Sequence, residues 1–540
     1  MAVKRYFATQ DNTITNAFRE SLLESQRGTG SNMGAADVLE TFSIYGEVSG
    51  ALSSAAEPGP GGYSSGYSQE LSRIIIQFPV DQISTDRTAG LIPASGSMSF
   101  YLRMFNAKHT YTLPRNFILS VRALSQSWQE GTGLDMEEYK DVTYGNSGSN
   151  WINASGTNAN GIGTWDTVGG HYHVTPEFTD SFPEGYEDLE LDVSLLVEQW
   201  IRGDNGTTGE LGGKTNCGVG VHFISNQEAY FSSSTGANTG SLLNNVTGAT
   251  FSYYTKKFFS RSSEYFFKRP VLEARWNSAR EDDRGNFYYS SSLAPGPDNL
   301  NTLYLYNYIR GRLVDIPIIG TTGSLMVSLY SGSSIPTGSR LDLYDGTTSI
   351  TGGWFETGIY TASVSITAST STSSLTKIFD VWHSGTFDNQ DAIQYYTSSI
   401  APKRFVDYNN NPTFQYVTSV TNLKSVYNTS ETARFRLFIR EKNWSPTIYT
   451  VATAQVVNSP VVSASYKLFR MTDNLNVIAY GTGSDKQTMM SYDVSGNYFD
   501  LNMSMLEKGY AYGIKVSYYN DTMTDWVEQP EVFKFRVEED

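Results

Sequence analysis

The sequence predicts an all-β protein: a large N-terminal β-sandwich closed by one short helix, followed by two smaller immunoglobulin-like β-sandwich domains. Three observations predict it. Apolar and polar residues alternate at period two through many short runs, residues 97–107 and 116–128 among them. Composition favours strands joined by polar loops, with 36 Tyr, 48 Gly and only 17% charged residues. A helical period intrudes clearly at one place, residues 188–203. At about 150 residues per domain, a chain of 540 has room for three or four separate cores.

The elements follow in order. Residues 4–8 form a first strand. Residues 13–30 carry helical spacing at Phe18, Leu22 and Leu23 and then Gly28, which suits a helix or an extended arm, and both remain open. Residues 51–70 are loop by composition. Residues 72–80 are apolar on both faces, as a central strand requires. Residues 145–160 are loop. In residues 188–203, Asp192 caps a helix, Leu196 and Trp200 share its buried face, and Gly203 ends it. Residues 216–225 read as a buried strand, and residues 253–276 close a first domain spanning 1–278. Residues 279–300 mix charge, Ser, Pro and Gly and read as a linker. Six short strands over 301–405 and seven over 406–540 describe the two immunoglobulin-like sandwiches.

Charge and cysteine usage exclude several functions. A net charge of −16 opposes nucleic-acid binding, which needs a basic patch to release phosphate counterions. The basic cluster Lys256, Lys257, Arg261, Lys268 and Arg269 is interleaved with Phe258, Phe259, Phe266 and Phe267. It is expected to face solvent or an acidic neighbouring subunit. Cys217 is alone, so no intrachain disulfide forms, and its apolar run predicts a buried, inert thiol. The N-terminus has no apolar signal core and no run of eighteen apolar residues occurs, so synthesis in a cytoplasm and no membrane span are expected.

Candidate chemistry is sparse. Acidic residues cluster at Asp135, Glu137 and Glu138 and again at Glu184, Glu187, Asp188 and Glu190. A glycosidase needs two such carboxyls across a sugar cleft, with tryptophans such as Trp128, Trp151 and Trp165 to stack on the sugar. Loop carboxylates equally suit Ca2+ or plain solvation. His171 and His173 alternate and would share one strand face, yet no third soft ligand lies nearby in sequence. Neither a GxSxG elbow nor a phosphate-binding GxxxxGK[ST] loop is present. No enzyme and no cofactor are therefore expected, Ca2+ being the one ion that fits.

Eight segments carry a family resemblance: residues 11–15 (DNTIT), 31–34 (SNMG), 73–80 (RIIIQFPV), 99–105 (SFYLRMF), 127–133 (SWQEGTG), 164–170 (TWDTVGG), 192–203 (DVSLLVEQWIRG) and 218–223 (GVGVHF). In order and approximate spacing they resemble the DNRLRE-type family, a carbohydrate-binding-module-like β-jelly roll. The opening KRYFATQDNTITNAF and the run YFDLNMSMLEKGYAYGIKV resemble virion structural proteins of tailed phages, particularly contractile-tailed phages of marine bacteria. The resemblance implies a structural component at the neck, tail or capsid surface of a virion, homo-oligomeric and held to other virion proteins. One alternative is a host-glycan-binding adhesin using Trp128, Trp151 and Trp165; another is a polysaccharide-degrading enzyme using Glu137 and Glu138.

Overall fold

The computed structural model describes residues 2–18, 27–48, 66–109, 113–134, 148–158, 161–203, 212–289, 295–366, 375–385, 392–403, 416–442, 458–520 and 523–539. It is all-β, with strands gathered into several sheets and two α-helices among the described residues. The chain divides into two compact units, residues 2–276 and 277–540.

The first unit runs β1 (Val3–Phe7), β2 (Gln10–Thr15), β3 (Val38–Val48), β4 (Gly66–Gln77), α1 (Val80–Thr88), β5 (Ser99–Met104) and β6 (Phe117–Leu124). It continues with β7 (Asn153–Asn158), β8 (Gly161–Thr164), β9 (Tyr172–Phe182), β10 (Leu189–Asp192), α2 (Ser194–Arg202), β11 (Val219–Phe223), β12 (Tyr253–Phe259) and β13 (Val271–Arg275). A four-stranded sheet in the order β1-β13-β5-β10 packs on a seven-stranded sheet, six strands of which run in the order β12-β3-β4-β11-β6-β9 while the seventh, β2, pairs with β4. Alternation builds the core between them: Ile74 and Ile76 of β4, Leu119 and Val121 of β6, and Val219 and Val221 of β11 meet Phe100, Leu102 and Leu272. Ile75 is equally buried but points the other way, so β4 is covered on both faces, as its apolar run predicts.

Helix α2 closes one end of this core, burying Leu196, Val197 and Trp200. The expected cap is corrected: Val193 flanks the helix without a side-chain cap bond, and Asp192, one residue earlier, accepts from the Ser194 N–H at 2.9 Å. Gly203 ends it at φ 67°, where a side chain would be strained. Helix α1 is an addition to the sequence expectation. It buries only Val80, Ile83 and Asp86 and is tied to α2 by Arg87, whose two terminal nitrogens donate to the Glu198 carboxylate at 2.9 and 2.6 Å. The candidate helix or arm over 13–30 falls partly outside the described residues, while its start, through Thr15, is strand β2. Asn153–Asn158, expected as loop, pairs with β8.

In the second unit, the strands Asn301–Tyr306, Ile359–Val364, Ile350–Glu356, Leu325–Ser331, Ile378–Ser384 and Gln394–Ile400 form one antiparallel six-stranded sheet in that order. Its core includes Leu303, Leu325, Tyr360 and Trp382. Leu341 and Leu343 pack into that core from outside the sheet, whose neighbouring strand is Ile350–Glu356. The C-terminal part has a four-stranded and a six-stranded sheet, with Phe435, Tyr466, Phe499, Tyr512 and Phe535 buried.

Residues 280–289 lie within the span that composition reads as a linker, yet they are built into both parts of this unit. Phe287 and Tyr289 enter the core of the six-stranded sheet. Arg280 N–H donates to Ser491 Oγ, and Tyr492 N–H donates to Arg280 O at 3.0 Å. The Asp283 carboxylate accepts from Tyr492 Oη at 2.7 Å and from Thr302 N–H at 2.6 Å, touching both parts at once. Charge here is consumed in pairing: Arg284 is shared by Asp282 (2.8 Å) and Asp380 (2.7 Å), all nearly inaccessible to solvent.

Candidate functional site

The outer face of the seven-stranded sheet in the first unit carries the features that could hold a ligand. Strand alternation sends Ile75, Leu124 and their neighbours outward, and Trp128, Trp151, Ala154, Trp165, Cys217 and Ala229 pack over them to make a second, smaller core. Trp128, Trp151 and Trp165 are its centre, at 6%, 0% and 4% exposure. Their indole N–H groups donate to the backbone oxygens of Cys217 (2.9 Å), Ser241 (2.7 Å) and Asn150 (2.8 Å). The expected sugar contacts are thereby corrected: rings enclosed on both faces, with their polar edges already paired, are packing residues that no sugar can stack on in this fold. Cys217 is buried in the same cluster, and burial pushes its thiol upward from the ordinary range.

At the margin of this layer lies a cleft of about 260 Å³ whose floor is polar. Arg73 of β4 grips Glu228 with two donors, Nε to Oε1 at 2.9 Å and Nη2 to Oε2 at 2.7 Å, and gives a third to Gly169 O at 3.1 Å. Its guanidinium also faces the Tyr172 ring at 5.4 Å. Arg122 of β6 pairs with Glu177 of β9 at 2.7 Å, whose other oxygen accepts from Ser120 Oγ at 2.6 Å. His222 of β11 sits between these pairs. Its Nδ1 lies 2.8 Å from Phe223 O and so carries the ring proton, which leaves Nε2 as a buried acceptor with no protein partner. Burial first, then the Arg73 charge, lowers the imidazole to about 4 despite the opposing Glu228, so the ring is neutral at pH 7. His171, Asn244, Asn245 and Ser225 complete the walls. The charges cancel in pairs, so the cleft presents polar side chains instead of a net field.

The other sequence candidates are dispersed. Asp135, Glu137 and Glu138 lie outside the described residues. Glu187 accepts from Glu184 N–H, Asp188 from Asn106 N–H, and Glu190 pairs with Arg103 and Arg275. Among the described residues no group of three or more His, Cys, Asp or Glu is placed to hold a metal ion. His171 reaches the cleft and lies 3.0 Å from Ser125 Oγ and 3.3 Å from Asp166, while His173 lies on β9. The basic cluster does not form the expected solvent-facing surface. Lys256 is fully buried, Arg261 pairs with Glu130, Lys257 lies 3.5 Å from Glu40, and Lys268 stands over the rings of Phe259 and Tyr265. Sequence reading passed over Arg73, Arg122, His222 and Glu228. Their signal was present for three of them, as single polar residues inside the apolar strand runs of β4, β6 and β11.

The fold and the cleft define an all-β protein of several sheets with a polar cleft on the outer face of a sandwich. No protein-family model matches the chain, and no curated protein matches it. A solved structure with partial likeness is trypsin-activated alpha-2-macroglobulin from Escherichia coli, at 10% identity and a TM-score of 0.15. The match covers 81% of this chain and 29% of that one, so the chain spans less than a third of its length, and a likeness of this size carries no argument. Among the described residues no helix is long and apolar enough to cross a membrane.

Proposed function

We propose that this chain is a structural component of a tailed-phage virion, at the neck, in the tail or on the capsid surface. It would assemble by protein–protein contacts as a homo-oligomer with other virion proteins and catalyse no reaction. The observation that carries the proposal is the strap at 280–289, where charged and aromatic residues lock the two parts of the second unit together through Asp283, Arg284 and Phe287. A joint of this kind suits load transmission and is foreign to a catalytic domain trailing a tethered module. Exposed rings on edge strand β12 and just before it also support a partner: Phe251 and Tyr253 are 78% and 55% exposed, beside Ile44. Immunogold labelling of purified particles with antibody against residues 301–540 tests it. Label at one vertex, along the tail or over the shell distinguishes neck, tail and capsid surface, and particles that neither label nor contain the protein by mass spectrometry end the proposal.

A second reading, a host-glycan-binding module, is supported by the cleft itself, whose lining of His171, Asn244, Asn245 and Ser225 carries polar groups of the kind that bond sugar hydroxyls. A glycan array showing no binding with Ca2+ present removes it.

A further inference from the structure

Lys256 is a cation buried in the first unit without a carboxylate bonded to it. It belongs to β12, is fully buried, and packs its ammonium 4.9 Å from the Phe182 ring centroid and 5.1 Å from that of Phe258. Nζ donates to Asn106 Oδ1 at 2.7 Å, to Glu187 O at 2.7 Å and to Gly185 O at 2.9 Å. Asn106 follows the end of β5 and is held in place by a bridge to Phe258 and by its N–H bond to Asp188 at 2.7 Å.

From this geometry we infer that Lys256 and Asn106 are joined by an intramolecular isopeptide bond formed by the protein itself. With a carbonyl bond of about 1.23 Å and an ordinary acceptor angle, a 2.7 Å contact places Nζ about 3.5 Å from Asn106 Cγ, which is near-attack distance. Both groups are fixed by the fold, so the reaction is unimolecular and water is largely kept away. The amine must be neutral to attack. Burial lowers the Lys256 ammonium to about 8, against the opposing pull of Glu187 and Asp188, so a usable fraction is neutral at physiological pH. In the reaction the Nζ lone pair adds to Cγ, the Cγ–Nδ2 bond breaks, and a proton from Nζ passes to the departing nitrogen, which leaves as ammonia. No oxidant or second reactant is needed.

The bond would run from the end of β5, in the four-stranded sheet, to β12, in the seven-stranded sheet, and so fasten the two layers of the sandwich covalently. Unreacted, the same three oxygens would simply satisfy an ammonium, and mass separates the two states. Neither the bond nor its test depends on the assembly reading. The full chain, purified and folded, is weighed intact and then digested. The expected result is a mass lower than the sequence requires by one ammonia, with a branched peptide joining residues 104–108 to the segment that carries Lys256. Asn106→Ala and Lys256→Met should each restore the missing mass relative to their own sequences. A wild-type mass equal to that of the sequence overturns the bond even if neither variant folds. So does an ammonia loss without the branched peptide, which would mark a succinimide elsewhere, or a loss that persists in Asn106→Ala.

Discussion

Replacing Arg284 by methionine removes the cation shared by two buried carboxylates while keeping much of the side-chain volume. In the native protein Arg284 donates to Asp282 Oδ2 at 2.8 Å, to Asp380 Oδ2 at 2.7 and 3.2 Å, and to Tyr304 O. Asp380 and Asp282 are 0% and 5% exposed, so water cannot take over the lost role. Breaking a buried pair by removing one partner costs about 3–5 kcal/mol, because the remaining charge is left uncompensated. The loss should be felt where the strap meets the six-stranded sheet. Hydrogen exchange of backbone amides in the strand Ile378–Ser384 should accelerate by roughly two to nearly four orders of magnitude, at about 1.4 kcal/mol per decade. A second change, Asp380→Leu in the same chain, should recover part of the loss, since an apolar replacement of both partners leaves less charge stranded. Acceleration below tenfold, with no recovery in the double variant, would refute the view that this ion cluster holds the strap.

Three further predictions concern the first unit. Glu273 is buried, and although burial alone would raise it, Arg5, Arg103 and Arg275 hold its carboxyl down from 4.5 to about 2. A depressed folded value means stability that is present above pH 4.5 and lost as pH falls toward 2. The difference is about 3 kcal/mol, and Glu273→Gln should flatten that slope in acid-unfolding curves. Trp151→Ala should destabilise the unit by about 3–5 kcal/mol in denaturant titrations, through cavity formation and an orphaned Ser241 oxygen. Gly133→Ala should cost at least about 2 kcal/mol by the same assay, because a Cβ there would lie 1.9 Å from the backbone oxygen of Asn32.

Much of the fold was legible because alternation is local: β4, β5, β6 and β11 each show their two faces in sequence. Helix α2 was legible for the same reason, with Leu196 and Trp200 on one side. Helix α1 was not, because its sequence, VDQISTDRT, has little amphipathic contrast and follows an apolar strand run that Pro79 only just ends. Faces can be counted from sequence, but which face looks inward cannot. Lys256 alternates with Lys257 as on any exposed strand, and only the approach of Asn106 and the loop at Gly185–Glu187 turns its side into an interior. The three tryptophans were rightly noticed as unusual, but nothing local tells a ring that greets a ligand from one that fills a core. Composition likewise makes 280–289 look solvated, because the partners that neutralise it, Asp380 and Tyr492, lie about a hundred residues or more away.

The pairing of β1 with β13 has a consequence for how the first unit is made. Val3 lies opposite Arg275 and Phe7 opposite Val271, so the earliest strand of the unit is completed by the last. A ribosome releases β1 long before β13 exists, and at about 5–20 residues per second that interval is on the order of tens of seconds. During it β5 too lacks β13, its neighbour in the finished sheet. Closing so long a loop is slow, which makes the four-stranded sheet the late event of folding and its open edges the places where a nascent chain is most prone to pair with another copy of itself.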